Sequence, residues 1–183
     1  MKRSEINNAI NNATAFFNKN CWSYPSDIKW DVTDFGLGKF EEYGLVLINL
    51  TEEPEYCEKL MYATLFQKTP AHYHKLKKED IICRTGKLAV QLWAKNDKEP
   101  GNGFFEQKVN GKPINIKSGE VITLNPGDRI TITQGIWHQF WAETKECIIG
   151  EVSTANDDIN DNFFANPEIG RFSEVEEDVN TIK

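Results

Sequence analysis

From residue 30 onward the chain is a succession of short segments rich in β-branched and aromatic residues, each closed by Gly, Pro, Asn or Asp. "YGLVLINL" (43–50), "EKLMYATLFQ" (58–67), "DIICRTG" (80–86), "KLAVQLWA" (87–94), "VITLNPGD" (121–128), "RITITQG" (129–135), "HQFWAE" (138–143) and "CIIGEVS" (147–153) all take this form. Such segments suit pleated, half-buried surfaces and read as strands. No long helical pattern separates them, which argues against a parallel sheet of βαβ units and for an antiparallel sandwich or barrel.

The flanks differ. Over residues 4–17, Ile6, Ala9, Ile10, Ala13, Phe16 and Phe17 recur at helical spacing behind Ser4, a good N-cap residue. This predicts an amphipathic helix packed on the body. "NKNCWSYPSDIKW" reads as a connection. The tail "TANDDINDNFFANPEIGRFSEVEEDVNTIK" is polar, but Phe163, Phe164 and Phe172 give it something to bury. The expected organisation is a single domain: residues 1–29 as helix and connection, 30–155 as the β-barrel, and 156–183 as a strap across it. "KLKK" (75–78) and "EVEED" (174–178) read as solvated.

Charge and cysteine usage narrow the classes of function. Asp and Glu number 28 against 21 Lys and Arg, a net charge of −7. That balance opposes a nucleic-acid or anionic-membrane partner. No apolar stretch approaches the roughly 20 residues of a membrane span, and "MKRSEINNAINNA" lacks the apolar core of a secretory signal. Cys21, Cys57, Cys83 and Cys147 form no CxxC pair and read as reduced, mostly buried thiols. A cytoplasmic protein is expected.

All three histidines lie in two strand-edge motifs. If residues 70–74 are extended, His72 and His74 share a face, because side chains alternate along a strand. Glu79 opens the next strand, so two imidazoles and a carboxylate can converge on one point, and His138 begins a later strand. "HYHKLKKEDIICRTG" has the pattern H-x-H-x4-E-x6-G and resembles the first cupin motif. "GDRITITQGIWH" resembles the second, with Thr133 where proline is usual, a departure that only loosens a turn. The resemblance implies a double-stranded β-helix, or jelly-roll, barrel binding a divalent metal through His72, His74, Glu79 and His138. By ligand type the ion is Mn2+, Fe, Co, Ni or Zn.

More of the chain resembles one cupin group. "WDVTDFGLGKFEEYGLVLINL", "YCEKLMYATLFQKTPAHYHKLKKEDIICRTG" and "GEVSTANDDINDNFFANPEIGRFSEVEED" are similar to the cupin-type D-lyxose isomerases, with "NDDINDNFF" and "IGRF" the most specific signature. This implies Mn2+-dependent interconversion of D-lyxose with D-xylulose, and of D-mannose with D-fructose, through a cis-enediol, in a homodimer. Such chemistry needs groups that move protons. Lys59 shares a strand face with Met61, Ala63 and Leu65, and Glu151 shares one with Ile149 and Ser153. Both are candidate acid–base residues, Glu151 being the preferred carbon base; the alternatives are a solvent-facing Lys59, with the pattern shifted by one residue, and a Glu151 that is a structural partner of Arg84 or Arg171. Gln67, Asp161 and Arg171 are candidate sugar contacts, and Trp137 and Phe140 candidate apolar walls. Competing readings are a cupin sugar-phosphate isomerase, a metal-dependent oxygenase or decarboxylase, and a sugar-binding cupin without catalysis. For the first, no Gly-rich phosphate loop is present.

Overall fold

In the computed structural model, residues 1–96, 99–154, 156, 157, 159–170 and 174–182 are described. Among these residues one helix, α1 (Arg3–Lys19), precedes thirteen short strands: β1 (Trp30–Thr33), β2 (Leu45–Glu52), β3 (Tyr56–Thr64), β4 (His72–Tyr73), β5 (Glu79–Thr85), β6 (Leu88–Trp93), β7 (Phe104–Val109), β8 (Lys112–Lys117), β9 (Val121–Leu124), β10 (Arg129–Ile132), β11 (Trp137–Ala142), β12 (Glu146–Thr154) and β13 (Phe163–Phe164). They form an eight-stranded sheet in the order β1-β2-β3-β12-β5-β10-β7-β8 and a five-stranded sheet in the order β13-β4-β11-β6-β9. Every pairing within the two sheets is antiparallel. The architecture is the cupin barrel.

Each of the eight anticipated segments contains a strand, and outside them lie β1, β4, β13 and the pair β7 and β8. Their hairpin turns on Asn110 and Gly111, with φ of 52° and 76°. Positive φ at both central positions is what a two-residue type I′ hairpin requires, and Asn-Gly supplies it at least cost. β3 stops at Thr64, short of Gln67, where Phe66 takes a φ of 61°.

The sheets enclose a core that includes Leu47, Met61, Ile81, Leu88, Ile130 and Ile149. Outside the larger sheet, α1 lays Ala9, Ala13, Phe16 and Phe17 on Val46, Ile48, Leu60 and Tyr62. Burying a side chain such as Phe17 contributes roughly 1.5–3 kcal/mol. Helix capping departs from expectation. Lys2 precedes the helix and donates its N–H to Glu5, while Ser4 lies in the first turn and donates its N–H and Oγ–H to Asp178 at 2.9 and 2.7 Å. Arg3 pairs with Glu177 at 2.6 Å. The acidic tail therefore complements the positive end of the helix dipole as well as facing solvent.

Interior positions stack in layers set by register. Glu79, Ser153 and Cys57 form the outermost; Ile81, Glu151 and Lys59 the next; Cys83, Ile149 and Met61 the third. Towards the fourth, Ala63 and Cys147 pair. Polar side chains thus occupy one end of these strands and apolar ones the other.

Candidate metal centre and active site

His138 of β11 sits directly across from His72 of β4. The two-residue period then brings His74 to the same side, and the ligand atoms of the three imidazoles lie within 4.8 Å of one another. Glu79 Oε1 reaches into the group at 2.8 Å from His138 Nε2 and 3.8 Å from His74 Nε2. All but the partly buried His72 are nearly inaccessible.

Each imidazole is oriented from behind. His72 Nδ1 lies 2.8 Å from the Pro70 carbonyl, His74 Nδ1 2.6 Å from that of Asp161, and His138 Nδ1 3.1 Å from that of Ile136. A carbonyl only accepts, so Nδ1 carries the proton in each ring and Nε2 presents a lone pair. Among the described residues, His74 Nε2, His138 Nε2 and Glu79 Oε1 are buried without a hydrogen-bond partner. Short as the His138–Glu79 separation is, it lacks hydrogen-bond geometry. Buried acceptors facing one another are costly unless a cation lies between them, so the donor set fits a divalent ion.

The electrostatics agree. Burial, then His138 and His74, push the His72 pKa well below its usual value; burial, then Lys77, lower that of His74 to about 4. Both rings are therefore neutral near pH 7, the form that binds metal. Burial opposes the ionised form of Glu79, but the Lys77 ammonium, the largest opposing influence, holds the carboxyl pKa well below the ordinary range.

Beside this group opens a small cavity of about 50 Å³. Lys59, Lys77 and Glu151 enter it from one side, and Phe35, Leu47, Met61, Phe140 and Phe164 form apolar walls. Lys59 and Glu151 are cross-strand neighbours and buried, with Lys59 Nζ 4.0 Å from Glu151 Oε1. Asn156 Oδ1 accepts a hydrogen bond from Lys59 at 2.9 Å.

Lys77 is not the solvated turn residue anticipated. Only 5 % exposed, it pairs with Glu79 at 2.8 Å and Glu151 at 3.0 Å. Burial pulls its pKa down, but the two carboxylates prevail and raise it. It links a candidate metal ligand to a candidate base. A signal for it existed, since Lys77 and Glu79 are two apart in an extended chain and face the same way. Thr33, Thr69 and Asn162 also line the cavity and had no distinguishing pattern in the sequence.

Other candidate sugar contacts are used elsewhere. Gln67 accepts the Thr64 N–H at 3.0 Å and donates to the Phe40 carbonyl at 2.7 Å, fastening the end of β3. Asp161 accepts backbone N–H groups from Lys75, Leu76 and Lys77 and is not part of the cavity wall. Trp137 lies on the opposite face of β11 from His138, against Tyr73, and donates Nε1–H to the Asn96 carbonyl at 2.7 Å. Phe140 does line the cavity, whereas Arg171 lies outside the described residues. Nor does Thr133 leave its turn loose. Ile136 N–H bonds to its carbonyl at 3.2 Å, and its hydroxyl accepts from Gln107 at 3.0 Å.

Comparisons with known proteins converge on one assignment. The D-lyxose isomerase family profile matches residues 24–183. A D-lyxose/D-mannose isomerase of Escherichia coli O157:H7 is 32% identical over 97% of this chain and 93% of its own length. That alignment spans 213 residues, more than the chain contains, so the relative carries residues lacking here. Another, from Serratia proteamaculans, is 38% identical over 86% of the chain and 75% of its own. The fold matches that of an Acinetobacter sp. DL28 L-ribose isomerase solved with L-ribose, with a TM-score of 0.75 and 16% identity over 96% of this chain and 98% of that one. With its family profile and full-length relatives in agreement, the chain belongs to the D-lyxose isomerase family and is an aldose–ketose sugar isomerase.

Proposed function

We propose that this chain interconverts D-lyxose and D-xylulose, and D-mannose and D-fructose, through a cis-enediol intermediate, as a Mn2+-dependent cytoplasmic homodimer. The observation that carries the reading is one cavity in which a buried carboxylate–lysine pair, Glu151 and Lys59, lies beside the His72, His74, Glu79 and His138 donor set. A divalent ion held by those four residues would supply Lewis acidity toward neighbouring sugar oxygens.

The remaining chemistry belongs to side chains. Glu151 takes the proton from C2 and returns it to C1, and Lys59 exchanges the hydroxyl proton between O1 and O2. Lys77 fixes Glu151 relative to Glu79 through its two short ion pairs. Phe35, Phe140 and Phe164 exclude water from the carbon centre. A phosphorylated sugar is less well served, because Lys59 and Lys77 are already engaged by Glu151, Glu79 and Asn156. A second copy would pair along the exposed edge at β1 or β8.

A proton NMR time course in D2O tests the reaction. Metal-stripped protein is given D-lyxose or D-xylulose with and without Mn2+. The partner sugar should form only with the ion, with deuterium entering at the carbon that gains the proton. Absence of both conversion and exchange with any divalent ion ends this reading.

A further inference from the structure

We infer that Asp161, in the strap, is a positioning residue of the metal centre, clamping the loop that joins two of its ligands. The inference rests on the metal-binding reading of the site and goes beyond it. Asp161 is 4 % exposed, and its carboxylate faces three consecutive backbone donors. Oδ1 accepts from Lys75 N–H at 2.8 Å and from Leu76 N–H at 3.1 Å. Oδ2 accepts from Leu76 N–H at 3.1 Å and from Lys77 N–H at 2.8 Å. Successive amides turned towards one anion form a concavity that suits a carboxylate, and charge-assisted bonds of this kind are strong.

The same residue grips the loop a second time, because its backbone carbonyl is the acceptor for His74 Nδ1 at 2.6 Å. One residue therefore sets the tautomer and direction of His74 and the path of residues 75–77, from which Lys77 reaches Glu79. Asp161 is itself anchored on both sides. Its N–H donates to the Asp157 carbonyl at 3.0 Å, and β13 pairs with β4 so that Phe163 and Phe164 oppose Tyr73 and His72. The strap thereby carries an outer support of the kind that holds metal-ligating histidines in register.

The test uses the full chain with D161A and D161N and reads two quantities. One is the affinity for Mn2+ by titration calorimetry. The other, measured on metal-free 15N-labelled protein, is hydrogen exchange at the Lys75, Leu76 and Lys77 amides together with the His74 Nδ1–H resonance. D161A, which keeps the carbonyl acceptor of His74 but loses the carboxylate, should bind Mn2+ about 10- to 100-fold more weakly, exchange those amides faster and shift the imidazole resonance. D161N keeps one acceptor oxygen and should fall between D161A and wild type, a partial rescue that bulk packing would not produce. Wild-type affinity or unchanged exchange in folded D161A overturns the assignment. Should D161A fail to fold, D161N decides by the same two criteria. A wild-type chain that binds Mn2+ but converts no sugar removes the proposed reaction and leaves this assignment standing.

Discussion

The two ends of the barrel interior are built from the same strands and do opposite things. On β3 the inward series runs Cys57, Lys59, Met61, Ala63; on β12 it runs Ser153, Glu151, Ile149, Cys147; on β5 it runs Glu79, Ile81, Cys83. The β3–β12 register runs unbroken through both ends, while β5 shifts against β12 between Ile148 and Ile149. Along these strands the side chains change from charged groups at the cavity to an apolar plug. The apolar end can lose shape and keep its purpose, because hydrophobic stabilisation is non-directional. The polar end cannot, since each charge there is compensated by another.

The largest effect expected from breaking this asymmetry is at a ligand. His138→Ala, or chelation of the wild-type enzyme, should lower turnover by on the order of 10³-fold or more. Chelated wild type should recover on adding Mn2+ and H138A should not. Sugar conversion followed by NMR reads both. Next, Glu151→Gln keeps the shape and removes the proton acceptor, so kcat should fall about 10²- to 10⁴-fold while Mn2+ affinity stays near wild type. A parallel fall in Mn2+ affinity would instead make Glu151 a structural partner of Lys77.

The opposite end makes the control. Leu88 is fully buried and lies outside the cavity wall. Leu88→Ala should cost about 2–5 kcal/mol of stability in denaturant titration, with kcat/KM of the folded enzyme unchanged. A drop in kcat there would show that the plug and the site are mechanically coupled.

How much of this was legible follows the same division. The clustering of His72, His74, Glu79 and His138 could be read because it obeys alternation and recurs in two spaced motifs. The burial of Lys59 and Glu151 could be read because a charge at an inward position of an apolar strand is conspicuous. Lys77 reads as solvated because it sits among three other loop residues of solvated composition, while its partners lie on β5 and β12. Gln67, just before the His72–His74 strand, and Asp161, in the tail signature, read as sugar contacts. In the structure they bond to backbone groups, and that backbone demand leaves little trace in side-chain pattern. The β7–β8 hairpin was missed despite Asn110–Gly111, since polar residues alternate along both strands and dilute their apolar signal.

Acid should separate the two ends by a smaller margin. In the metal-free protein, His74 titrates at about 4 when folded, against an ordinary value of 6.5, and His72 is lowered too. Between those values the unfolded chain binds protons that the folded one refuses, so stability rises with pH and is lost on acidification through the window. Glu79, also lowered, adds to the loss below its ordinary value of 4.5. Thermal unfolding of metal-free protein should show Tm falling from pH 6.5 towards 4. Mn2+ at pH 7 should raise Tm by mass action. A flat profile would mean that the buried imidazoles are not held neutral.

The smallest expected effect is the sharpest test of the comparison. Ile149 is fully buried, two residues from Glu151 on the same face of β12, with Met61 and Cys83 as its cross-strand neighbours. Ile149→Val removes one methylene from the first wholly apolar layer and should cost about 0.5–1.5 kcal/mol. If the layers act independently, kcat and the KM for sugar stay at wild-type values while the denaturation midpoint shifts. The register that places Ile149 beside Met61 also places Glu151 beside Lys59, so the strand could relax along its length and pass the change upward. A kcat that fell with this single methylene would mean that the apolar plug sets the Glu151–Lys59 separation, and the boundary between core and site would have to be drawn one layer lower.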